Sequence, residues 1–270
     1  MSQLDQGKRN IPIDHILLKL DGKFRFLCHR GLQCFTQCCK DVNLFLTPYD
    51  ILRMKKRLKL SSSEFLHRYT TTVVGKDWGL PAVVLKMKDD ENKSCPFVAP
   101  EGCAIYEDRP WSCRSYPLQP AGSKKYDRQG KEFYTIIRKP FCLGFDEDKK
   151  WTVRKWKKDQ GIDIYMEMEK PLKKITLSED LEGEEIFNED IRQMFYMACY
   201  DLDRFRRFVF ESRFLNIFDI EKELVEKIKT DEVELLKFAF RWIKFGLMGR
   251  DGLKIREGVL EAKKKELEKR

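Results

Sequence analysis

The chain has 270 residues, 42% of them hydrophobic including 19 Phe, and carries a net charge of +9 with 36% charged residues. That length and apolar content exclude a disordered polypeptide, and exclude a domain so small that only a metal could hold it together. Lys and Arg alternate with Asp and Glu along the chain. The densest basic run, KKWTVRKWKK at Lys149–Lys158, therefore reads as an amphipathic helix with a solvated face rather than as a nucleic-acid patch.

The first residues, MSQLDQGKRN, show no apolar core of a secretory signal, and the longest apolar runs span only a few residues. The expectation is a cytoplasmic protein with no membrane or nucleic-acid partner. In that compartment clustered cysteines hold metal or do redox chemistry more often than they form disulfides, and nine is an odd count for a disulfide framework.

Residues 1–27 read as a leader with one apolar stretch, Ile13–Leu20, and Phe24–Leu27 runs directly into CHRGLQCFTQCC at Cys28–Cys39. Val42–Leu46 has strand character. Thr47-Pro48-Tyr49-Asp50 starts a helix: Thr47 can cap, Pro48 suits the first turn and Asp50 completes a box. Ser61 and Glu64 open a second helix, through Tyr69, by the same logic. Thr71–Val74 and Ala82–Lys88 are expected strands, the latter alternating apolar and polar. A polar turn, Asp89–Lys93, leads to Cys95. Gly102 precedes Cys103, Pro110 can start a short helix bearing Trp111 and Cys113, and a strand at Phe133–Arg138 runs into Cys142.

Beyond Cys142 the character changes. Trp151–Gln160 reads as a helix ending at Gly161. Residues 171–187, with Pro171 and an acidic run, read as a connector. From Asn188 a helical period sets in: Ile191, Met194, Phe195, Ala198, Leu202, Phe205 and Val209 form one face, Ile220, Leu224 and Ile228 a second, and Leu235, Leu236, Ala239, Phe240, Ile243 and Leu247 a third. Cys199 lies inside the first pattern and reads as core. The expected fold class is α+β: a small, mixed, loop-rich cysteine-cluster domain with short strands and helices at 28–170, then a mainly α-helical region at 188–270.

Eight cysteines precede residue 143, spaced C-x5-C-x3-C-C, then C-x7-C-x9-C, then Cys142. Thiolates are soft ligands suited to zinc, copper(I) and iron–sulfur clusters, and grouping them without a cation is electrostatically costly. Pro96, Gly102 and Pro110 stiffen loops through which backbone N–H groups can reach sulfur. Arg109 and Arg114 can offset cluster charge, or can pair with Asp108 and Glu107. The spacing is neither a zinc-finger pattern nor a ferredoxin run. The vicinal pair Cys38-Cys39 is the oddest feature: the two sulfurs could serve neighbouring sites, or one could ligate while the other packs.

Two blocks carry a resemblance. Cys28–Asp50, CHRGLQCFTQCCKDVNLFLTPYD, resembles the opening of the YkgJ-type cysteine-cluster family, described as a zinc- or iron-chelating domain, in which a CC pair precedes a short apolar strand and a T-x-x-D helix start. Cys95–Leu118, CPFVAPEGCAIYEDRPWSCRSYPL, is similar to that family's second signature. The likeness covers about 28–145, and the helical remainder looks like an extension found in a subset of members. It implies metal ligation by Cys28, Cys34, Cys38, Cys39, Cys95, Cys103, Cys113 and Cys142. The five residues between Cys28 and Cys34 are a departure, since many members have a tighter C-x2-C-x2-CC opening.

Three readings of function follow. One is an iron–sulfur protein, with a cluster of the 4Fe–4S type and a redox protein as partner. The second is a structural zinc domain joined to a helical interaction module. The third is an enzyme, because the resemblance extends to flagellin lysine N-methylase-type proteins. The residues themselves offer no P-loop, no HExxH and no dinucleotide fingerprint; Gly246–Gly252 has the wrong spacing and follows a helix.

Overall fold

The computed structural model describes residues 13–75, 79–121, 132–178, 188–249 and 252–259. Parts of the expected leader (1–12) and connector (179–187), and residues 260–270, lie outside the described residues. The chain forms two compact units, each made of two separate stretches: 1–42 with 87–164, and 43–86 with 165–270. The fold class is α+β, with short strands in several small sheets and a mainly helical C-terminal region.

The first unit holds the eight clustered cysteines and is built from short pieces. A three-stranded antiparallel sheet runs in the order Ile13–Leu18, Tyr134–Ile137, Leu118–Pro120. A two-stranded ladder pairs Lys23–Arg25 with Lys150–Thr152. Its core is aromatic. The Phe26 ring lies 5.2 Å from Phe145 and 5.6 Å from Trp156, and Trp151 lies 5.1 Å from Trp156. Both Trp side chains have polar ends that find carbonyls, with Trp151 Nε1 donating to Phe26 O and Trp156 Nε1 to Ser115 O.

This arrangement corrects the expected helix at Trp151–Gln160. Trp151 pairs in a strand with Phe24, and the helix begins only at Val153, because the Thr152 hydroxyl accepts from Lys155 N at 3.3 Å. The basic run is thus partly inward: Trp156 is core, and Lys157 is buried with its ammonium on Glu132 and on Asp163.

In the second unit, the two helix starts read from sequence are both realised. Thr47 Oγ1 accepts from Asp50 N while Asp50 Oδ2 accepts from Thr47 N, opening Pro48–Leu58. Ser61 and Glu64 make the same reciprocal pair ahead of Ser62–Tyr69. Pro81–Leu85 is the middle strand of an antiparallel sheet between Phe45–Leu46 and Thr70–Val74, and Val83 and Leu85 turn into the core as the alternation required.

The helical stretch departs from its sequence pattern in two places. The face running from Ile191 to Val209 is one continuous period, yet the chain forms two helices, Glu189–Tyr200 and Leu202–Glu211. Asp201 breaks them, its carboxylate accepting from Arg204 N at 3.2 Å. Where a connector was expected, the helix Ile162–Thr176 continues through Pro171. Tyr165, Met168, Leu172 and Ile175 recur at three and four residues and are all buried, so packing offsets the lost N–H. Glu232–Met248 is capped by Asp231 and closed by Gly249 at φ +60. Phe205, Phe208, Phe214, Phe238 and Trp242 stack at the centre. Cys199 is fully buried, as the sequence reading had it.

A buried cation ties four of these helices. Lys55, 5% exposed, bonds Glu232 and lies 3.4 Å from Asp203, whose Oδ2 also accepts from Ser62 N. No helix among the described residues is long and apolar enough to cross a membrane.

Candidate metal centre

The site begins with a backbone oddity. Thr36 sits at φ 65, a left-handed conformation seldom taken by a β-branched residue. It turns the chain into a single 3-10 turn, Gln37–Cys39, that carries both vicinal cysteines. The segment is then stitched to the second cysteine block by backbone bonds. Cys95 N donates to Cys39 O at 2.8 Å, Lys40 bridges Ser94, and Asp41 N donates to Lys93 O. Asp90 shapes the approach, with Oδ1 accepting from Asn92 N and Ser94 N.

Cys95 leads into a small hairpin in which Val98 pairs with Cys103 and Ala99 with Gly102. Gly102 stands at φ +119, and a Cβ there would lie 3.2 Å from the Phe35 ring, so only glycine suits the position. Cys113 rides on the short helix Trp111–Ser115. Cys142 arrives from the other side. Its loop touches the strand before Cys28, with Leu27 N donating to Gly144 O at 2.9 Å. A Cβ at Gly144 would come within 2.8 Å of Leu27 O, so this approach also needs glycine.

All nine cysteines are free thiols. Cys28, Cys38 and Cys113 are exposed, Cys34, Cys39, Cys103 and Cys142 half-buried, and Cys95 buried. Neighbouring thiols shift the protonation of Cys28, Cys38, Cys39, Cys95 and Cys103. Shielding of its sulfur from water, and then the thiols of Cys38, Cys142 and Cys34, push Cys28 up to about 11. Within the vicinal pair, the Cys39 S–H donates to the Cys38 sulfur. That bond, with help from Lys139, lowers Cys38 to about 6, while it raises Cys39, which also feels Cys95 and Cys113. Burial raises Cys95 and Cys103, against the pull of backbone N–H groups: Phe97 and Val98 at Cys95, Ile105 at Cys103. Leu143 N donates to Cys34 Sγ at 3.3 Å. Cys34, Cys95 and Cys103 thus receive main-chain donors from other residues, and Cys38 from its own N–H, the kind of bonding that favours the thiolate and tunes a thiolate-bound metal.

Arg109 is buried. Its guanidinium bonds Tyr106 O and Gln160 Oε1, lies 3.7 Å over the Tyr106 ring, and feels Cys113 and Cys103. Arg114 bonds the carbonyls of Gln160 and Glu107. Two residues beside the sulfurs escaped the sequence reading. Tyr116 Oη is buried next to Cys142, close enough to be raised by it after burial itself, though without the geometry of a full hydrogen bond. Lys139 acts on Cys38 and lies over the Tyr116 ring. Their position in SYP and in KPFC, each three residues from a cysteine, was the available signal. His29 is exposed; its Nε2 faces Glu147 and its Nδ1 accepts from Gly31 N.

Chemically, the donor set is all sulfur, with N–H groups and cations around it, and it suits a soft or borderline metal. As placed, among the described residues no three Cys, His, Asp or Glu side chains converge closely enough to hold one ion between them.

Such a gathering of cysteines defines a metal-chelating domain. Residues 27–143 match the family CxxCxxCC, described as "Putative zinc- or iron-chelating domain". The match takes in all eight clustered cysteines and leaves out Cys199, over less than half the chain. No curated protein and no solved structure matches the chain.

Proposed function

We propose that the eight cysteines of the first unit hold iron–sulfur rather than zinc, and that the protein passes electrons to or from a redox protein. The observation that carries this reading is the set of main-chain N–H donors on Cys34, Cys95 and Cys103 within an all-thiol, eight-sulfur supply. Eight thiols exceed the four that one zinc takes, and hydrogen bonds to sulfur set the potential of an iron–sulfur centre. Arg109, Lys139 and Tyr116 add positive or donating groups beside the sulfurs. When bound, such a centre supplies one-electron chemistry.

In this reading the chain's own residues have separable tasks. Cys28, Cys34, Cys38, Cys39, Cys95, Cys103, Cys113 and Cys142 supply thiolates. Gly102 and Gly144 let backbone approach. The amides of Phe97 and Val98, Ile105, and Leu143 donate to the sulfurs of Cys95, Cys103 and Cys34 respectively.

The test is metal and acid-labile sulfide analysis, with an absorption spectrum, on protein purified without oxygen. Iron with sulfide and a broad visible band that bleaches on reduction is the expected result. Stoichiometric zinc in a colourless protein would overturn it and leave a structural zinc domain.

A further inference from the structure

We propose that two copies of this chain pair through the edge strand Thr70–Val74, antiparallel and centred on Thr72, so that the three-stranded sheet of the second unit becomes half of one continuous sheet. The proposal concerns the second unit alone and does not rest on what the cysteines bind.

The strand has Pro81–Leu85 on one side and no strand among the described residues on the other. Hydrogen bonds fix which of its backbone groups face outward. Lys86 N donates to Tyr69 O, while Leu85 N donates to Leu44 O on the opposite side of the middle strand. Along an antiparallel strand, successive residues turn their N–H and C=O to opposite sides. The register Thr71↔Val84 and Val73↔Ala82 continues that alternation from Tyr69, so Thr71 and Val73 bond the middle strand. Thr70, Thr72 and Val74 point theirs away from it. Thr70 N is taken by Leu66 O of the preceding helix. The N–H groups of Thr72 and Val74, and the carbonyls of all three residues, are left for an incoming strand.

Edge strands are normally guarded by charge, proline, brevity or a bulge. Such guards stand elsewhere in this chain. Leu118–Pro120 ends in a proline, Ile13–Leu18 has an irregular register between Asp14 and Leu18, and Phe45–Leu46, the opposite edge of the same sheet, is two residues long. Thr70–Val74 has none of these. Tyr69–Gly75, YTTTVVG, has no charged residue in a chain that is 36% charged, and Val73 and Val74 are both exposed. On the outer face of the sheet Phe45, Val84 and Thr71 lie in register, with Val73 and Ala82 beside them. Phe45 is 52% exposed. An open hydrogen-bonding edge next to an uncharged, largely apolar face fits another strand of the same character.

The strand's own sequence selects a second copy. A two-fold axis at Thr72 sets Thr72 against itself, Thr70 against Val74 and Thr71 against Val73, the self-complementary pairing that a symmetric dimer requires. Thr72 then exchanges both of its backbone bonds with its counterpart. Each Val74 N–H meets a Thr70 carbonyl, and the Thr70 N–H is the one already satisfied by Leu66 O. Thr71 and Val73 form cross-strand pairs that carry the outer face over the junction. No like charges are opposed along it, which matters for chains of net charge +9.

The test is the mass of the full chain by sedimentation equilibrium, under reducing conditions so that no intermolecular disulfide forms. Mass should double with rising concentration, and the Thr72 and Val74 amides should exchange with deuterium more slowly as the dimer fills. Thr72→Pro removes only an outward N–H, a place where edge strands tolerate proline, and should leave a monomer at every concentration. Thr72→Ala keeps that N–H while losing the hydroxyl that bonds Tyr196, and should dimerise like the unaltered chain. Should Thr72→Pro fail to fold, Val73→Lys decides, because it charges the junction and should also give a monomer. An unaltered chain that stays monomeric overturns the proposal and leaves the edge to a strand of another protein. A dimer that survives these variants, or that forms without protecting the Thr72 and Val74 amides, overturns it as well.

Discussion

The two units bury different things. The helical unit places Phe205, Phe214, Phe238, Leu235 and Leu236 almost wholly out of water. The cysteine unit leaves Cys28, Cys38 and Cys113 exposed and relies on short sheets, a two-residue hairpin, an isolated backbone bridge and one aromatic cluster. Burial of large apolar side chains stabilises the first by the ordinary hydrophobic effect, at about 1.5–3 kcal/mol for each side chain. The second has strained or glycine-dependent backbone at Thr36, Gly102 and Gly144, the pattern expected where structure serves a ligand. A core and a site obey different rules even within one chain.

The largest effect that would sharpen this contrast is in the helical unit. Phe205→Ala should lower stability by about 3–5 kcal/mol, because the ring is fully buried against Phe238 and Trp242. Metal bound per folded chain should not change. A fall in metal content along with stability would break the division into core and site.

Next comes the charge inside that core. Asp203→Asn should cost about 1.5–3 kcal/mol at neutral pH, since Asp203 accepts from Ser62 N and faces Lys55. Partial burial opposes the carboxylate, but the Ser62 N–H and the Lys55 ammonium outweigh it and hold its carboxyl below the ordinary value. A lowered folded value means the contribution is complete above the unfolded carboxyl's value of about 3.9. It is lost as pH falls through the lower folded one. Urea unfolding of both proteins should show a gap at pH 7 that closes below about pH 3; a gap independent of pH would remove the carboxylate from the account.

The smallest change in stability should come from the site. Gly102→Ala forces a side chain onto φ +119 beside Phe35 and should cost about 1–2 kcal/mol. Its effect on metal should be disproportionate, because Cys103 follows directly in the hairpin. Full metal loading in this variant, measured by elemental analysis, would show that the hairpin's position does not matter to binding.

What could be read from sequence was local. The boxes at Thr47–Asp50 and Ser61–Glu64 are written within four residues, and both formed. The burial of Cys199 followed from the helical period around it. The break at Asp201 was hidden because the apolar period continues across it. Trp151 was hidden because strand pairing with Phe24 depends on a segment far away in sequence. At the site, the cysteines announced themselves by type and clustering. Tyr116, Lys139 and Gly144 did not, because their places beside sulfur and backbone come from loops that meet only after folding.

The alternation of chain between the units bears on how such a protein can be inherited and divided. The segment shared with the cysteine-cluster family, 27–143, contains 43–86, which folds with 165–270 and not with the cysteines. The matched segment is therefore not a piece that could be cut out of this chain as a folded unit. Excised at residue 143, it would take along two helices and a sheet whose apolar faces, at Ile51, Phe65 and Val83, are completed only by chain that follows. Residues 165–270 are thus indispensable to the stretch 43–86 whose faces they cover. Loss of the tail would show itself first as insolubility and only later as loss of metal.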